Sequence, residues 1–166
     1  MTWKDRVRHV FLVATLTGAC QPTGAPTIRG EIDDVAIRLD QPSAPHAARL
    51  ELTNVGDRPC DLVPMLPALP AGALPVSNGR VEMSLGGDEA AVAPMEAYVE
   101  LNGKPVERGD GGLLTEQGWI TRIDPGDVVM LDVGLQGAPD RADRIVVCNG
   151  PGDYEAGRYA VLAFDR

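Results

Sequence analysis

The sequence predicts an all-β sandwich of about eight or nine strands. Short segments alternate apolar and polar residues at the period of a half-buried strand, and turn residues separate these segments. Helical patterns are scarce, and the 166 residues include 19 glycines and 14 prolines. A hydrophobic content of 44% and this length suit a single domain that buries its own core. We therefore expect one folded unit built from sheets.

The predicted strands begin at residue 35. In "VAIRLD", the side chains of Val35, Ile37 and Leu39 lie on one face, and in "ARLELTNV" Leu50 and Leu52 do the same. Further strand patterns are, in order, "RVEMSLG" with Val81, Met83 and Leu85, then "YVEL", "WITRI", "VVMLDVGL", "RIVVC" and "RYAVLAF". The last segment is apolar throughout and so predicts a central buried strand.

Three turn signals separate these strands. Asn78-Gly79 and Asn102-Gly103 are pairs that type I′ hairpin turns favour, because both central residues of such a turn need a positive φ. The segment "DPGD" from Asp124 to Asp127 has proline and glycine at turn positions. Each signal predicts a sharp reversal of the chain.

Residues 1–19 have the pattern of an export signal. Lys4, Arg6 and Arg8 supply its positive charge. An uncharged apolar stretch follows from Val10 to Ala19, and it is shorter than the roughly 20 residues that span a bilayer. We therefore expect this segment to be a signal peptide that is removed on export.

The residues that end this segment, "LTGAC", resemble the lipobox of bacterial lipoproteins. In that family the cysteine sulfur receives a diacylglyceryl group, and cleavage makes the cysteine the new N-terminus. The usual leucine three residues before the cysteine is replaced by Thr17, with Leu16 one residue earlier. The resemblance implies that Cys20 is lipidated. The alternative is an ordinary secretory signal cut near Ala19, which leaves Cys20 unmodified.

The resemblance also implies that the protein is exported and lipid-anchored in the cell envelope, on the outer membrane or on the outer face of the cytoplasmic membrane. Gln21 follows the cysteine, and the absence of Asp there favours the outer membrane in a cell with two membranes. Residues 20–30 contain two prolines and two glycines without apolar periodicity, which predicts a flexible tether. The β-sandwich domain is therefore predicted at residues 31–166.

Cys60 and Cys148 are the two cysteines that remain once Cys20 is lipidated. Exported proteins occupy oxidising compartments, so this even pair predicts a disulfide bond. Two buried free thiols are the alternative. Neither cysteine lies in a CxxC motif or beside a histidine, so the pattern does not indicate a catalytic thiol.

The charge balance excludes nucleic acid as a partner. The chain has 24 acidic and 15 basic residues, whereas nucleic-acid binders concentrate basic residues on one surface. Loss of residues 1–19, which hold three basic residues and one acidic residue, would leave 12 basic and 23 acidic residues and a net charge of -11. Anionic headgroups repel such a protein, so we expect the two acyl chains of the lipid to supply the attachment to a membrane.

The segment "EAGRY" before "AVLAF" resembles the tyrosine corner of immunoglobulin-like sandwiches. The resemblance implies a hydrogen bond from Tyr159 to upstream backbone and an immunoglobulin-like arrangement of the predicted sandwich. The alternative for Tyr159 is a core aromatic residue. Sandwiches of this kind have many functions, so the resemblance implies no activity.

A motif between Leu50 and Cys148 gives a narrower resemblance, to a family of uncharacterised secreted proteins and lipoproteins of high-GC bacteria. The family pattern runs TN-x-G-x-x-x-C-x-L, then a PG turn and a second cysteine. The matching residues are Thr53, Asn54, Gly56, Cys60, Leu62, Pro125, Gly126 and Cys148. Where the family has an aromatic-proline step after the first cysteine, this chain has Val63-Pro64-Met65. No function is implied by this resemblance.

Few residues are candidates for catalysis or for binding a transition metal. His9 would be lost with the signal, which leaves His46, between Pro45 and Ala47, in a predicted solvated loop. A single imidazole excludes a zinc or copper site built on several histidines and makes a Ser-His triad improbable. The HxM pair of periplasmic copper chaperones is also absent, although "LTNVGD" resembles their sequence. We expect no catalytic residue and no cofactor.

Calcium is the metal ion that the sequence leaves open. The chain has no DxDxDG spacing, and a solvated acidic surface is the simpler interpretation of its aspartates. The aspartates that could nevertheless supply oxygen ligands from loops are Asp33, Asp34, Asp57, Asp61, Asp124, Asp127 and Asp132.

The sequence thus predicts a non-catalytic, lipid-anchored envelope protein that acts as a binding or structural module. Its predicted partners are the membrane, through the lipid, and another protein of the envelope. The alternative is an inhibitor of a secreted protease, with Gly109 to Leu114 as the loop presented to the active site. A scaffold is expected to have a flat, charged surface, and an inhibitor one protruding loop with small residues at its tip. An enzyme would need a deep pocket that contains two acids and Trp119.

Overall fold

The computed structural model describes residues 24–67, 70–83, 92–94, 98–106, 113–115, 118–134 and 143–164, so the predicted signal peptide and Cys20 lie outside it. These ranges contain fifteen strand segments, one 3-10 turn (Ala71–Ala73) and no α-helix. None of them could therefore cross a membrane as an apolar helix. The strands are β1 (Thr27–Ile32), β2 (Ile37–Leu39), β3 (Ser43–Ala44), β4 (Ala47–Asn54), β5 (Cys60–Pro67), β6 (Val76–Ser77), β7 (Arg80–Val81), β8 (Val92–Pro94), β9 (Tyr98–Leu101), β10 (Lys104–Pro105), β11 (Leu113–Thr115), β12 (Gly118–Ile123), β13 (Val128–Gly134), β14 (Arg144–Cys148) and β15 (Tyr159–Phe164).

The strands form an all-β sandwich, as predicted, and eight of those described have four or more residues. A six-stranded sheet has the order β10-β9-β13-β4-β1-β2. It packs against a seven-stranded sheet of order β11-β12-β5-β14-β15-β3, in which β8 also pairs with β5. Strands β6 and β7 form a separate hairpin.

Two strand pairs are parallel, β1 with β4 and β15 with β3. The other described pairs of the two sheets are antiparallel. The parallel pairs arise because the chain after β1 adds β2 to the same sheet and then crosses to the other sheet as β3. Each parallel pair therefore includes one of the first three strands of an otherwise antiparallel sandwich.

Apolar side chains of both sheets form the main core between them. Along β4 and β13 every second residue is buried, which places Leu50, Leu52, Val129 and Leu131 inside. The outward residues of the same strands are only partly buried. This alternation matches the predicted pattern, because successive side chains of a strand point to opposite faces.

The seven-stranded sheet is covered on its second face as well. All five residues of β14 are buried. On the outer side, Ile145 and Val147 pack in a second apolar cluster with Leu74, Val81 and Tyr154. Residues 70–83 and the chain around Tyr154 thus form a partial third layer. The fully buried strand is β14 rather than β15, which alternates between buried and partly buried residues.

The three predicted turns are confirmed. Asn78 and Gly79 have φ values of 54° and 74°, and Asn102 and Gly103 have values of 51° and 74°. These positive values at both central residues are those of type I′ turns. In the third turn Gly126 has a φ of 87°, and the Asp127 amide donates to the Asp124 carbonyl at 3.0 Å.

The predicted tether of residues 20–30 overlaps β1 and is corrected at its C-terminal end. Residues 27–30 belong to the folded domain, because β1 pairs with β4 from Thr27 onward and Ile28 is fully buried. The sandwich therefore begins before residue 31. The proline and glycine content of this segment obscures a strand that has only a few inward apolar residues.

Two predicted strands are shorter than their sequence patterns. Val35 lies in the turn before β2 and is 58% exposed, so it does not share a buried face with that strand. Strand β7 contains Val81 but ends there. Met83 follows β7 and packs against the second apolar cluster, whereas Leu85 lies outside the described residues.

Cys60 and Cys148 form a disulfide bond, which confirms the predicted pairing. Cys60 begins β5 and Cys148 ends β14, and the neighbouring strands place their Cα atoms 5.0 Å apart. The bond closes a sequence separation of 88 residues. A closure of this length removes chain entropy from the unfolded state worth about 4 to 5 kcal/mol.

Substitution of Gly30 tests the close approach of β1 and β2. A Cβ atom at this position would lie 2.5 Å from the Arg38 carbonyl oxygen and 2.9 Å from Leu52 Cδ2. Gly30→Ala is therefore expected to lower the free energy of unfolding by about 1 to 3 kcal/mol in urea denaturation. Gly72→Ala is the control, because a Cβ there has open space. Equal effects of the two substitutions would contradict the close approach.

The disulfide bond is tested by removing both sulfur atoms. The variant Cys60→Ala/Cys148→Ala is expected to lose about 2 to 5 kcal/mol of unfolding free energy, because its unfolded chain is no longer constrained. Thiol titration of the denatured, unreduced wild-type protein is expected to find neither cysteine reactive. Two reactive thiols at these positions would rule out the bond.

Candidate functional site

The loops at one end of the sandwich contain a concentration of buried polar groups. This end, called the loop pole below, consists of residues 33–36, 55–59, 124–127 and 149–158. The opposite end, called the amino-terminal pole, contains Thr27 at the start of β1. Because β1 and β4 are parallel, both strands end at the loop pole.

Arg158 is fully buried beneath the loop pole. Its Nε donates to the Asp33 carbonyl at 2.9 Å, and its Nη1 donates to the Pro59 carbonyl at 3.2 Å. Nη1 also donates to Asp153 Oδ1 at 3.1 Å, and Arg58 Nη2 donates to the same oxygen at 2.8 Å. The guanidinium thus joins three loops. The only sequence signal for this cluster is an acid and a base five residues apart before β15.

Asp33 shapes the loop between β1 and β2. Its Oδ1 accepts hydrogen bonds from the Val35 amide at 2.8 Å and the Ala36 amide at 2.7 Å. Its other carboxylate oxygen pairs with Arg38. The backbone bond to Val35 and then the bond to Arg38 lower the pKa of Asp33, because both favour the ionised form.

Asp34 links that loop to the loop between β4 and β5. Its Oδ1 accepts from the Asp57 amide at 3.0 Å and from the Arg58 amide at 3.1 Å. Gly56 lies directly against this carboxylate, and a Cβ at Gly56 would be 2.6 Å from Asp34 Oδ1. The two loops therefore fit together only with a glycine at this motif position.

Asn54 holds the base of the same loop and is fully buried. Its Nδ2 donates to the Arg58 carbonyl at 2.9 Å and to the Ile123 carbonyl at 3.1 Å. Its Oδ1 accepts from the Gly56 amide at 3.2 Å, and its backbone carbonyl accepts from the Gly126 amide at 2.7 Å. Three residues of the TN-x-G motif and its PG turn thus bind one another.

The aspartates considered as calcium ligands bind protein donors instead of converging on one point. Within the described ranges, no group of three or more His, Cys, Asp or Glu side chains could hold a metal ion. Asp33 binds backbone amides and Arg38, and Asp34 binds backbone amides. Four other candidate aspartates are paired with side chains: Asp61 with Arg80, Asp124 with Arg122, Asp127 with Asn102 and Asp132 with Arg49. Asp57 is exposed.

The remaining candidate residues are scattered. His46 is exposed at the amino-terminal pole. Gly109 to Gly112 of the candidate inhibitory loop, and the Trp119 side chain, lie outside the described residues. Leu113 and Leu114 of that loop belong to β11, which pairs with β12.

The tyrosine hydroxyl that binds upstream backbone is that of Tyr154. It accepts from the Leu74 amide at 3.0 Å and donates to the Ala71 carbonyl at 2.5 Å. The ring of Tyr159 packs against Tyr154 with centroids 5.2 Å apart. Tyr159 is therefore a packed aromatic residue, and its predicted hydrogen bond to upstream backbone stays a prediction.

Charged side chains of both signs lie on the outer face of the six-stranded sheet. Arg49 and Asp132 lie opposite each other on β4 and β13, and two hydrogen bonds of 2.7 and 2.9 Å join them. This pairing raises the pKa of Arg49. Arg29 and Glu51 form a second cross-strand pair at 3.2 Å. A depression of about 380 Å³ beside them is lined by residues of both signs: Arg29, Gly30, Glu31, Arg38, Leu39, Asp40, Glu51 and Thr53.

No protein-family model matches the sequence, and no curated protein matches it. Three solved structures are similar in fold. A Cu-containing nitrite reductase from Thermus scotoductus SA-01 aligns with a TM-score of 0.46 and 11% identity, over 85% of this chain and 31% of its own. Auracyanin B aligns with a TM-score of 0.43 and 15% identity, over 88% and 93%. A copper nitrite reductase from Nitrosomonas europaea aligns with a TM-score of 0.41 and 12% identity, over 86% and 49%.

This chain thus spans 31% of the first reductase and 49% of the second. Its histidines are His9, in the predicted signal peptide, and His46. Cys60 and Cys148 are joined to each other.

Substitution of Arg158 tests whether the buried guanidinium holds the loop pole together. Arg158→Met leaves the Asp33 and Pro59 carbonyls without this donor and removes one partner of Asp153. It is expected to lower the free energy of unfolding by about 3 to 5 kcal/mol in urea denaturation. Arg29→Met, at an exposed ion pair, is the control and is expected to cost less than about 1 kcal/mol. Similar losses in the two variants would contradict the role of Arg158.

Proposed function

We propose that this protein is a non-catalytic, lipid-anchored protein of the cell envelope that acts as a binding or structural module. The observation that carries the proposal is an export signal ending in "LTGAC" a short distance before a folded domain. From Cys20 to the start of β1 at Thr27 the chain can extend at most about 25 Å. A lipid on Cys20 would therefore hold the sandwich close to the membrane surface.

The use of polar side chains inside the fold supports a non-catalytic role. At the loop pole the carboxylates of Asp33, Asp34 and Asp153 accept hydrogen bonds from the protein itself. Arg158 is fully buried and the two described cysteines are bonded to each other. A general acid, a base or a nucleophile must instead reach a reacting group. These residues have the arrangement of a structural network.

The charge of the protein favours attachment through acyl chains. The chain carries a net charge of -9, so its surface is repelled by anionic headgroups. Two acyl chains at Cys20 would anchor it stably, at about 0.8 kcal/mol per buried methylene. The charged outer face of the six-stranded sheet is one feature expected of a scaffold, which supports the binding or structural role.

Substitution of the proposed lipidation site tests this function. Cys20→Ser removes the sulfur that would carry the diacylglyceryl group, so the protein is expected to move from the membrane fraction to the soluble fraction of fractionated cells. Thr23→Ser changes the same segment but keeps Cys20, so this variant is expected to stay in the membrane fraction. Membrane retention of Cys20→Ser at the wild-type level would contradict the anchor. A soluble wild-type protein would indicate the ordinary secretory signal.

A further inference from the structure

We propose that the loop pole docks onto a second protein of the envelope, with Val35 and Val55 entering an apolar site that is rimmed by Lys and Arg side chains. The proposal rests on the proposed lipid anchor for the orientation of the domain. It assigns the binding role to one surface and specifies the chemistry of the partner.

The position of the loop pole follows from where the chain enters the domain. The segment that would carry the lipid joins β1 at Thr27. Strand β1 then runs to Ile32 at the loop pole, about 20 Å away for a strand of this length. An anchor at Cys20 therefore ties the amino-terminal pole to the membrane and leaves the loop pole as the end farthest from the attachment point.

Two large apolar side chains are exposed at this pole. Val35 is 58% exposed and Val55 is 53% exposed, and Tyr98 is the one other exposed large hydrophobic residue among those described. The two valines lie on neighbouring loops that the Asp34 carboxylate joins. Removal of exposed apolar groups from water is the main driving force of protein association. The valine pair is therefore a candidate centre for an interface.

The loops that carry the valines are ordered in the free protein. The Val35 amide donates to Asp33 Oδ1 at 2.8 Å, and the Val55 amide donates to the Ile32 carbonyl at 2.8 Å. Beneath them Arg158 binds the carbonyl of Asp33. Docking of such loops loses little conformational entropy, because their backbone is already held in one arrangement.

The residues around the valines determine the charge of the partner. Asp57 and Glu155 are exposed at the loop pole and Asp34 is partly exposed beside Val35, whereas the exposed Asp124 is paired with Arg122. The one exposed arginine of the β4–β5 loop, Arg58, is paired with Asp153. Electrostatic complementarity therefore favours a basic rim on the partner. The same charge disfavours a second copy of this chain and anionic lipid.

Photo-crosslinking in cells with the full-length protein tests the proposal. Val35→p-benzoylphenylalanine and Val55→p-benzoylphenylalanine are expected to give a crosslink to the same protein, at a segment where apolar residues are flanked by Lys or Arg. His46→p-benzoylphenylalanine places the same probe on an exposed residue of the amino-terminal pole. It is expected to give about tenfold less of that product.

A charge introduced at the second valine tests whether the pair acts together. Val55→Asp is expected to reduce the crosslink from position 35 by about tenfold, because it places a carboxylate in the apolar site. Thr27→Asp adds the same charge at the amino-terminal pole and is expected to leave that crosslink unchanged. Thermal unfolding of both variants is expected to match the wild type, because both side chains are exposed.

Several outcomes would overturn the proposal. They are equal crosslinking from both poles, a product with lipid or with a second copy of this chain, an acidic contact segment, or no effect of Val55→Asp. Fractionation of the same cells distinguishes failure of the docking proposal from failure of the lipid-anchor proposal. A membrane-bound protein without a loop-pole product overturns the docking site alone, whereas a soluble wild-type protein overturns both proposals.

Discussion

The buried guanidinium of Arg158 is the interaction on which the loop pole depends. It binds carbonyls from two separate loops and a carboxylate from a third. The carbonyl of Arg158 also accepts from the Cys148 amide at 2.9 Å, which places the disulfide bond beside this network. A buried cation needs all of these partners, so the loops cannot rearrange independently. The sheets fix the ends of the loops, and Arg158 fixes their relative positions.

The TN-x-G motif, with the later PG turn and the two cysteines, has a structural explanation in this network. Asn54, Gly56 and Gly126 bind or pack against one another, and Cys60 closes the same region through the disulfide bond. The motif thus builds the loop pole and does not present reactive groups. A rigid end of this kind can carry exposed side chains such as Val35 without further ordering when a partner binds.

Local patterns in the sequence predicted the parts of the fold that depend on neighbouring residues. The alternation in β4 and β13 and the Asn-Gly turns are of this kind. The disulfide bond joins residues 88 positions apart and was predicted from the even number of cysteines instead. The strand β5 was not predicted, because Pro64 interrupts a continuous apolar run that lacks alternation. The bonds of Arg158 could not be predicted, since its carbonyl partners lie 99 and 125 residues away in sequence. The bonds of the Tyr154 hydroxyl could not be predicted either, because its partners lie 80 and 83 residues upstream in sequence.

The central claim is that buried and carboxylate-mediated hydrogen bonds hold exposed loops in one conformation. Hydrogen exchange of individual backbone amides, followed by NMR, tests this claim most directly. The account predicts that the amides of Asp57 and Arg58, which donate to Asp34, exchange as slowly as amides in the centre of β4, although both residues are exposed. Exchange of these two amides at the rate of an unstructured chain would contradict it.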